Sequence, residues 1–403
     1  MSDLRARRGT IALLASLTAF PPLSIDTYLP SLPQIGRELM TNESAVQSSI
    51  GVFLLAMCLG MLVHGPLSDR FGRRRVLQCG IALYLASTVG CALSPDVDRL
   101  ILFRFFQGLG GAAASVLARA IVRDVFPVSQ AAKILSWMHL ATMLATLIAP
   151  LLGSGLLQWG GWRSIFAALF ALALVSGLLA AKYLPESHPP EARVSTLLKG
   201  FASYLHLIKS RTVMAYIGCM GLCFGGMFAF ITGSPFVYMN YFGVAPAAYA
   251  ALFASNIVAI ILMTLINAHY VSRWGHLRMI FAGACVSFIS ALTLILTAYL
   301  DLSSLPLIVI CAMAFISVTG LLGANCVAAL LSLRGSQAGA VAALAVACQF
   351  ALGAGFSALV GALSDGTARP MCLVMGLAGI GCFACAWIVR IQATRERCAE
   401  LQG

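Results

Sequence analysis

The chain has 403 residues, of which 60% are hydrophobic and only 10% are charged, and its net charge is +12. Soluble domains carry about 25% charged residues, so this composition excludes an ordinary soluble protein and indicates an integral membrane protein. A net positive charge is also found in nucleic-acid-binding proteins. Here, however, the distribution of charge along the chain indicates membrane orientation, and we expect no nucleic-acid partner.

Long apolar runs of about 20 residues recur along the whole chain. Each is long enough to cross a hydrocarbon core of about 30 Å, where backbone groups are satisfied only in helices or closed barrels. The alternating segments of about ten residues that barrel strands require do not occur. We therefore predict an all-α integral membrane protein with twelve transmembrane helices, at residues 10–33, 45–64, 76–94, 100–118, 134–157, 163–184, 212–234, 247–271, 279–300, 305–331, 338–361 and 371–391.

The basic residues between these runs predict the orientation. Most of the 26 lysines and arginines fall at the chain ends and in alternate connecting segments. The other connecting segments hold Arg37, Arg99, Arg163 and Arg369. Because cytoplasmic loops carry the excess of Lys and Arg, we expect a multi-pass protein with both termini cytoplasmic. The first run is too long for a cleaved signal peptide and has no small-residue cleavage site after it.

The longest segment without a predicted span divides the spans into six and six. It begins with a Pro-rich polar stretch, which is typical of a linker. Near its end, apolar residues at helical spacing predict a short amphipathic helix on the inner membrane surface: Leu197, Phe201, Tyr204, Leu205 and Ile208. The predicted domains are an N-terminal six-helix bundle (1–184), a cytoplasmic linker (185–211) and a C-terminal six-helix bundle (212–403).

The two halves share a short motif. The chain reads "SDRFGRRRVL" at 68–77 and "VSRWGHLRMI" at 271–280, an offset of 203 positions that aligns Gly72 with Gly275. Two parallel six-helix repeats are a transporter architecture, with the substrate site expected between the halves near the midplane. In the second copy Ser272 stands opposite Asp69, so the acid is lost and we expect the inner gate to be asymmetric.

Asp26 and Arg104 are the only ionisable residues other than histidine that lie well inside predicted spans. A charge at that depth costs about 3 kcal/mol on insertion scales, a cost tolerated where the group faces water or a partner. Asp26, in "PLSIDTYLPSLP", would either titrate and carry a proton or lie near the outer end of its helix and be solvated. Arg104 could bind an anion, orient Asp26 through an ion pair, or lock two helices together.

Other mid-span polar and aromatic side chains are candidates for substrate binding: Tyr28, Gln107, Ser115, His139, Phe228, Phe236, Asn256, Asn325 and Gln349. Gln107 and Ser115 share a helical face with Arg104. The amides of the second half are more often links between helices, and the aromatic residues more often interface anchors. Pro235 is expected to end the seventh helix, and Phe228 and Phe236 could line a pocket beside it.

Two histidines could titrate. His64 stands at an inner helix end, where we expect solvent, and His139 is a second choice to Asp26 as proton carrier. The 13 cysteines fall almost entirely inside spans, where they act as small hydrophobes. The sequence predicts no metal site and no cofactor.

The stretch "GPLSDRFGRRR" (65–75) predicts a turn between spans two and three. Gly65 and Gly72 would permit a tight link, and Asp69 needs a partner among the arginines around it. The arginines themselves could simply contact anionic lipid headgroups. In span five, Pro150 is expected to kink the helix, and Gly153 and Gly155 to allow close packing.

Five stretches together resemble a known family. "GPLSDRFGRRRVL", "LILFRFFQGLGGAAAS" and "APLLGSGLL" resemble the inner-loop, helix-four and helix-five motifs of the major facilitator superfamily. "SIDTYLPSLP" and "GSPFVYMNYFG" are similar to its drug:proton antiporters of the bicyclomycin and chloramphenicol resistance type. The resemblance covers the whole chain. It departs from the family where Ala149 replaces the usual glycine before Pro150, and where helix one lacks a second, deeper acid.

The resemblance implies roles for these residues. Asp26 and Arg104 would form the polar centre that couples protons to export. Asp69 would lie against the inner start of helix eleven and an arginine at the inner end of helix four, Arg123 or Arg119. The implied gating set is Gly65, Asp69, Arg70, Gly72, Arg73, Arg123, Pro150 and Gly153.

The predicted function is a proton-coupled multidrug efflux antiporter that exports small amphiphilic compounds by alternating access. We expect a monomer in the bacterial inner membrane, whose partners are the small-molecule substrate, protons and the lipid bilayer. An exporter of an endogenous metabolite, such as an amino acid or nucleoside, would need the same fold and coupling. A membrane-embedded enzyme or receptor would need a reactive constellation such as a His-Glu pair in the spans, and the sequence shows none, so we predict that the protein is not an enzyme.

Overall fold

A computed structural model describes residues 2–188, 204–205, 207–300, 304–333 and 338–400. In these ranges the chain is almost entirely helical. The α-helices are α1 (Ser2–Thr18), α2 (Phe20–Asp26), α3 (Leu32–Glu38), α4 (Glu43–Phe71), α5 (Arg73–Ala92), α6 (Val97–Val125), α7 (Val128–Tyr183), α8 (Arg211–Pro235), α9 (Pro246–Trp274), α10 (His276–Tyr299), α11 (Leu305–Leu333), α12 (Ala338–Ala362) and α13 (Arg369–Glu400). A 3₁₀ turn (Leu29–Ser31) precedes α3, and a π-helical turn (Phe236–Tyr241) follows α8.

The helices account for the twelve predicted spans. Among the described residues ten are long and apolar enough to cross a membrane, or eleven if the bent pair Gly9–Thr18 and Phe20–Glu38 forms one span. Helix α7 has 56 residues, or about 84 Å at 1.5 Å per residue, far more than one crossing of about 30 Å needs. Its backbone is non-helical at Gly160 and Gly161, which separates spans five and six. The predicted all-helical multi-pass fold is confirmed.

The first span is not the continuous helix that one apolar run suggested. It bends by 44° after α1 and is interrupted again by the 3₁₀ turn between α2 and α3. Prolines occupy the first turn of α2, of the 3₁₀ turn and of α3. Each proline lacks a backbone N–H and cannot continue a preceding helix without losing a hydrogen bond. As a result Asp26, the last residue of α2, lies at a break in the middle of the span.

The α-helix of the seventh span ends at Pro235, as predicted, but the chain stays helical beyond it. The residue after Pro235 keeps helical torsion angles, and the chain continues directly into the π-helical turn. There the backbone N–H of Phe242 donates to the carbonyl oxygen of Val237 at 3.1 Å, five residues earlier. Widening the helix is one way to pass a proline, because it gives the carbonyl groups new donors.

The link between spans two and three is a single residue. Gly65 and Pro66 lie inside α4, so the prediction that Gly65 forms part of the turn was wrong. Gly72 makes the connection with φ +94° and ψ 147°. Gly275, at the same place in the second motif, has φ +78° and ψ 160°. The repeat seen in the sequence is therefore a repeated backbone conformation in the left-handed region that favours glycine.

The chain forms two compact units, Met1–Leu198 with Ala245–Ala254, and Lys199–Val244 with Ser255–Gly403. The domain boundaries inferred from the sequence stay a prediction. Of the predicted amphipathic linker helix, Tyr204, Leu205 and Ile208 are described, and all three are helical. Leu197 and Phe201 lie outside the described residues.

Small residues let helices of the first unit approach closely around α6. A β-carbon added at Gly110 would lie 2.6 Å from both the carbonyl oxygen of Gly80 and the backbone nitrogen of Tyr84. One at Gly108 would lie 2.5 Å from the carbonyl oxygen of Phe53. Both contacts are with backbone atoms that cannot move aside, so glycine is required there for α4 and α5 to pack on α6.

The turn at Gly72 gives a stability prediction. We expect Gly72→Ala to destabilise the protein by about 1–2 kcal/mol, because a β-carbon is disfavoured at positive φ. Gly65→Ala is the matched control: it is helical, its added β-carbon meets nothing within 4 Å, and alanine is the better helix former. Thermal unfolding in detergent measures both. Equal midpoints for the two variants would contradict the assignment of strain to Gly72.

Candidate functional site

Asp26 is buried, with 4% of its surface exposed. The alternative that it is solvated at an outer helix end is therefore wrong for this structure. Thr146 of α7 lies near its carboxyl group. Helix α7 lies close to this segment of the first span because Gly153 packs directly on the backbone of Thr27. A β-carbon at Gly153 would lie 2.8 Å from the carbonyl carbon of Thr27.

Arg104 of α6 is completely buried. Its Nη1 donates to the carbonyl oxygen of Ser24 at 3.0 Å and to Oε1 of Gln107 at 2.8 Å. The guanidinium also lies over two aromatic rings, with Cζ 4.6 Å from the ring centre of Tyr28 and 4.4 Å from that of Phe53. Such cation–π contacts stabilise a cation that has lost its water. Arg104 thus joins α6 to the broken first span.

A second layer of hydrogen bonds holds this arrangement. Gln107 donates through Nε2 to the hydroxyl of Thr88 at 2.9 Å. The hydroxyls of Tyr84 and Ser24 are 2.6 Å apart. Ser24 already donates to the carbonyl oxygen of Phe20, and a hydroxyl has one proton, so Tyr84 is the donor. Tyr28 bonds to the hydroxyl of Ser49 at 3.0 Å in the same way.

One edge of the Arg104 guanidinium is unmatched. Nε and Nη2 have no hydrogen-bond partner in the described part of the chain, and no described carboxylate makes an ion pair with Arg104. The structure therefore shows the helix-locking role and not the ion pair with Asp26. Nε and Nη2 together form the fork that binds a carboxylate through two parallel bonds. An unpaired buried N–H costs about 1–3 kcal/mol, so this edge favours any state that supplies an acceptor.

We call Asp26, Tyr28, Arg104 and Gln107 the N-terminal polar centre. The structure brings Tyr28, Arg104 and Gln107 into contact, and Asp26 lies in the same segment of the first span as Tyr28. Ser115, predicted for the same face, instead accepts a bond from Nη2 of Arg119 at 3.1 Å, farther along α6.

Of the two histidines considered as titrating groups, one differs from the expectation. His139 is an exposed side chain on α7. His64, expected in solvent, is buried inside α4 with 8% of its surface exposed. Its Nδ1 lies 2.9 Å from the carbonyl oxygen of Gly60 in its own helix. The helix extends beyond the predicted span end to Phe71, which is why His64 is not terminal.

At the predicted inner side, Arg73 organises an ionic network. It pairs with Asp69 at 2.5 Å and, through Nε, with Asp124 of α6 at 3.0 Å. Glu186 accepts the backbone N–H groups of Arg73 (2.8 Å) and Arg74 (3.3 Å) and so caps the start of α5. A carboxylate is favourable at a helix N-terminus. We call Asp69, Arg73, Asp124 and Glu186 the inner ionic corner.

This corner differs from what the resemblance implied. Among the described ion pairs the partner of Asp69 is Arg73, from its own motif, and not Arg119 or Arg123. Arg123 is exposed on α6, and Arg70 is exposed with its guanidinium 5.3 Å from the ring centre of Phe71. The helix-four contribution to the network is the acid Asp124. The predicted contact of Asp69 with helix eleven stays a prediction.

In the second unit, the aromatic candidates form part of a ring cluster. Phe228 is buried, and its ring centre is 5.0 Å from that of Phe224 and 6.5 Å from that of Phe350. Gln349 is half-buried next to Phe350 on α12. Phe236 is also buried, in the π-helical turn. Apolar rings with a neighbouring amide are a lining that suits an amphiphilic ligand.

The two asparagine candidates are both buried, and one has a clear structural role. Asn256 of α9 is 3% exposed. Asn325 of α11 is 1% exposed; its Nδ2 donates to Oδ1 of Asn267 at 2.6 Å, and its Oδ1 lies 2.8 Å from Nδ1 of His276. Asn325 therefore links α9, α10 and α11. We call His276, Asn325 and Asn267 the inner amide corner.

Sequence reasoning missed several of these residues. Thr146, Asp124 and Glu186 were not singled out, because a hydroxyl in a span and acids near basic loops are common. His276 had a usable signal: it stands 203 positions after Arg73 and, like Arg73, is the first residue of a helix after the motif glycine.

An outer cluster around Glu38 was also missed. Glu38 accepts bonds from Gln34 at 2.6 Å, from Nε1 of Trp162 at 2.7 Å and from Arg163 at 3.2 Å. It thereby joins the end of α3 to the part of α7 that follows the break at Gly161.

Comparison with known proteins agrees with this architecture. The family described as Major Facilitator Superfamily matches residues 14–358. The D-xylose-proton symporter has a similar solved structure, with a TM-score of 0.71 and 21% sequence identity, covering 94% of this chain and 97% of that one. This chain belongs to the major facilitator superfamily and is a transporter rather than an enzyme.

The proteins most similar in sequence indicate a narrower class within the superfamily. The chain is 32% identical to the bicyclomycin resistance protein homolog of Haemophilus influenzae over 367 residues, covering 91% of this chain and 92% of that protein. It is 30% identical to the chloramphenicol resistance protein of Pseudomonas aeruginosa over 299 residues, covering 73% and 70%. The resemblance to the bicyclomycin and chloramphenicol resistance type is confirmed.

The contact between Gly153 and Thr27 gives the prediction for this site. We expect Gly153→Ala to lower transport at least tenfold, because the new β-carbon forces α7 away from the segment that holds Asp26. Gly155→Ala is the control, since a β-carbon there meets nothing within 4 Å. Transport into inverted membrane vesicles, normalised to the amount of protein, measures the effect. Equal transport by the two variants would contradict it.

Proposed function

We propose that the protein is a proton-coupled multidrug exporter that exchanges protons for small amphiphilic compounds. It would work as a monomer in the bacterial inner membrane with both termini cytoplasmic. The observation that carries the proposal is the position of Asp26: a buried carboxyl group at a break in the first span, in the same segment as Ser24 and Tyr28, which contact Arg104. Drug resistance proteins among its relatives support the choice of cargo.

The burial of Asp26 supports coupling on physical grounds. An ionised carboxylate inside an apolar region is costly unless it is paired or hydrogen-bonded, and otherwise it takes up a proton. None of the described ion pairs involves Asp26, so its charge depends on what else comes near it. Cargo that approaches the N-terminal polar centre would change this balance, which is the competition that antiport requires.

Arg104 supports the same proposal through its unmatched edge. The fork of Nε and Nη2 is fixed in place by two rings and by the bonds of Nη1. It can receive the carboxylate of Asp26 after deprotonation, or an acceptor group of the cargo. In the second unit the rings around Phe228 offer apolar surface for the same amphiphilic class. The inner ionic corner would serve as a gate, since its bonds join three separate segments of the first unit.

Replacement of the acid tests the proposal directly. We expect Asp26→Asn to lose both drug-induced proton release and resistance, because asparagine mimics the permanently protonated form. Binding of neutral drugs should remain. The measurement is the proton release from detergent-solubilised protein when chloramphenicol is added, together with drug sensitivity of a pump-deficient strain.

Asp98→Asn is the control for this experiment. Asp98 is an exposed acid in the first turn of α6, and its loss should leave proton release and resistance intact. Unchanged proton release by Asp26→Asn would contradict Asp26 as the exchanging group and would leave His139 as the next candidate.

A second substitution tests the fork of Arg104. We expect Arg104→Lys to lower transport at least tenfold with normal membrane insertion, because an ammonium keeps the charge but lacks the planar fork. Arg99→Lys, on an exposed arginine of the same helix, is the control. Normal transport by Arg104→Lys would show that charge alone suffices and would contradict a role for the fork.

A further inference from the structure

A row of aromatic rings connects α10 and α13 in the second unit. The rings of Phe288 and Phe383 are stacked, with their centres 4.6 Å apart. The ring centre of Phe281 lies 5.7 Å from that of Phe383 and 5.8 Å from that of Trp387. Each helix contributes two of these rings, and we call Phe281, Phe288, Phe383 and Trp387 the aromatic ladder. Rings at such separations attract one another, so the ladder holds α10 against α13.

Arg390 of α13 lies at one end of the ladder. Its guanidinium carbon Cζ is 4.4 Å from the ring centre of Phe281 and 6.0 Å from that of Trp387. The side chain is exposed, and among the described residues it makes no ion pair. Ring contacts stabilise the charge, but they leave the planar fork of N–H groups without an acceptor oxygen. The fork is therefore available to a ligand that supplies one.

The charge around Arg390 has a single sign. Helix α10 contains no acidic residue, and the first acid of α13 is Glu396, more than one turn beyond Arg390. A second exposed cation, Arg278, precedes Phe281 by three residues and lies on the same side of α10. Two exposed cations on helices that carry no acid near them favour an anionic partner.

The surface beside the ladder is apolar and exposed. Ile289 of α10 has 64% of its surface exposed and Leu377 of α13 has 56%. Apolar surface on a membrane-spanning helix is stabilised by contact with hydrocarbon rather than with water. Arg390 stands near the end of the candidate span Arg369–Thr394, at the depth where lipid headgroups replace hydrocarbon. The ladder is thus within reach of acyl chains, and Arg390 is within reach of phosphate groups.

We propose that Arg390 and the aromatic ladder bind one anionic phospholipid of the surrounding membrane. The lipid phosphate accepts hydrogen bonds from the guanidinium fork, whose geometry matches two oxygens of a phosphate. An acyl chain of the same lipid lies along the exposed side of the ladder. Phe281 and Trp387 hold the guanidinium in place, and Arg278 adds a second positive charge. A zwitterionic lipid carries a cation beside its phosphate, so the two arginines favour the anionic lipid.

Native mass spectrometry of the full-length protein, after removal of its lipids, tests this site. Phosphatidylglycerol and phosphatidylcholine with identical acyl chains are added in separate samples. We expect the parent to bind phosphatidylglycerol about fivefold more tightly, which is the contribution of one cation near an anionic lipid surface. Arg390→Gln should bind the two lipids equally, because the cation that contacts the phosphate is gone.

Two control variants make the result specific. Lys182 is an exposed cation in the last turn of α7 that lies over one ring, that of Tyr183, at 5.3 Å. Lys182→Gln should keep the preference of the parent for phosphatidylglycerol, because Lys182 lies outside the ladder. Phe281→Leu keeps an apolar side chain but removes the ring beneath Arg390, and it should reduce the preference. Thermal unfolding in detergent verifies that each variant is folded.

Three results would overturn the proposal. Equal affinity of the parent for the two lipids would show contact with hydrocarbon alone. An unchanged preference in Arg390→Gln would show that another cation recognises the lipid. Binding of glycerol phosphate, which has no acyl chains, as tightly as phosphatidylglycerol would show a site for free phosphate rather than for a lipid.

Discussion

A guanidinium group inside a membrane must find all of its partners within the protein, because lipid tails offer none. Arg104 meets part of this requirement where the first span is broken, since its Nη1 bonds to the free carbonyl oxygen of Ser24 and its guanidinium lies over the ring of Tyr28. The close packing of α4 and α5 on α6, made possible by Gly108 and Gly110, encloses the group. The complete burial of Arg104 therefore depends on the packing of several helices of the first unit.

The same constraint explains why Asp26 lies where it does. The prolines of the first span release backbone groups that a regular helix would have used, and the Arg104 side chain uses one of them. The break also exposes the backbone of Thr27 to Gly153 of α7. One arrangement thus combines the proline-rich first span, the buried arginine and a small residue in span five. The first and last of these features are more than a hundred residues apart in the chain.

The sequence was sufficient for the spans, the repeat and the pair Asp26 and Arg104, because a charge in an apolar run is conspicuous. The sequence did not predict which side chains surround Asp26 and Arg104. The hydroxyls of Ser24 and Thr88 are unremarkable in spans, and contacts across helices with Tyr84 and Gln107 give them their roles. Local propensity was also incomplete: the α-helix ends at Pro235, but a π-helical turn continues it, and Gly65 lies inside a helix rather than in a turn.

The two inner corners occupy equivalent places in the repeat and are built from different chemistry. Arg73 is surrounded by carboxylates, whereas His276 contacts the amide of Asn325, which in turn donates to the amide of Asn267. Ion pairs at a water-facing surface weaken as ionic strength rises, while hydrogen bonds between neutral groups are little affected. A rise in ionic strength would thus weaken the corner of the first unit more than that of the second, so the two halves of the transporter would respond differently to salt.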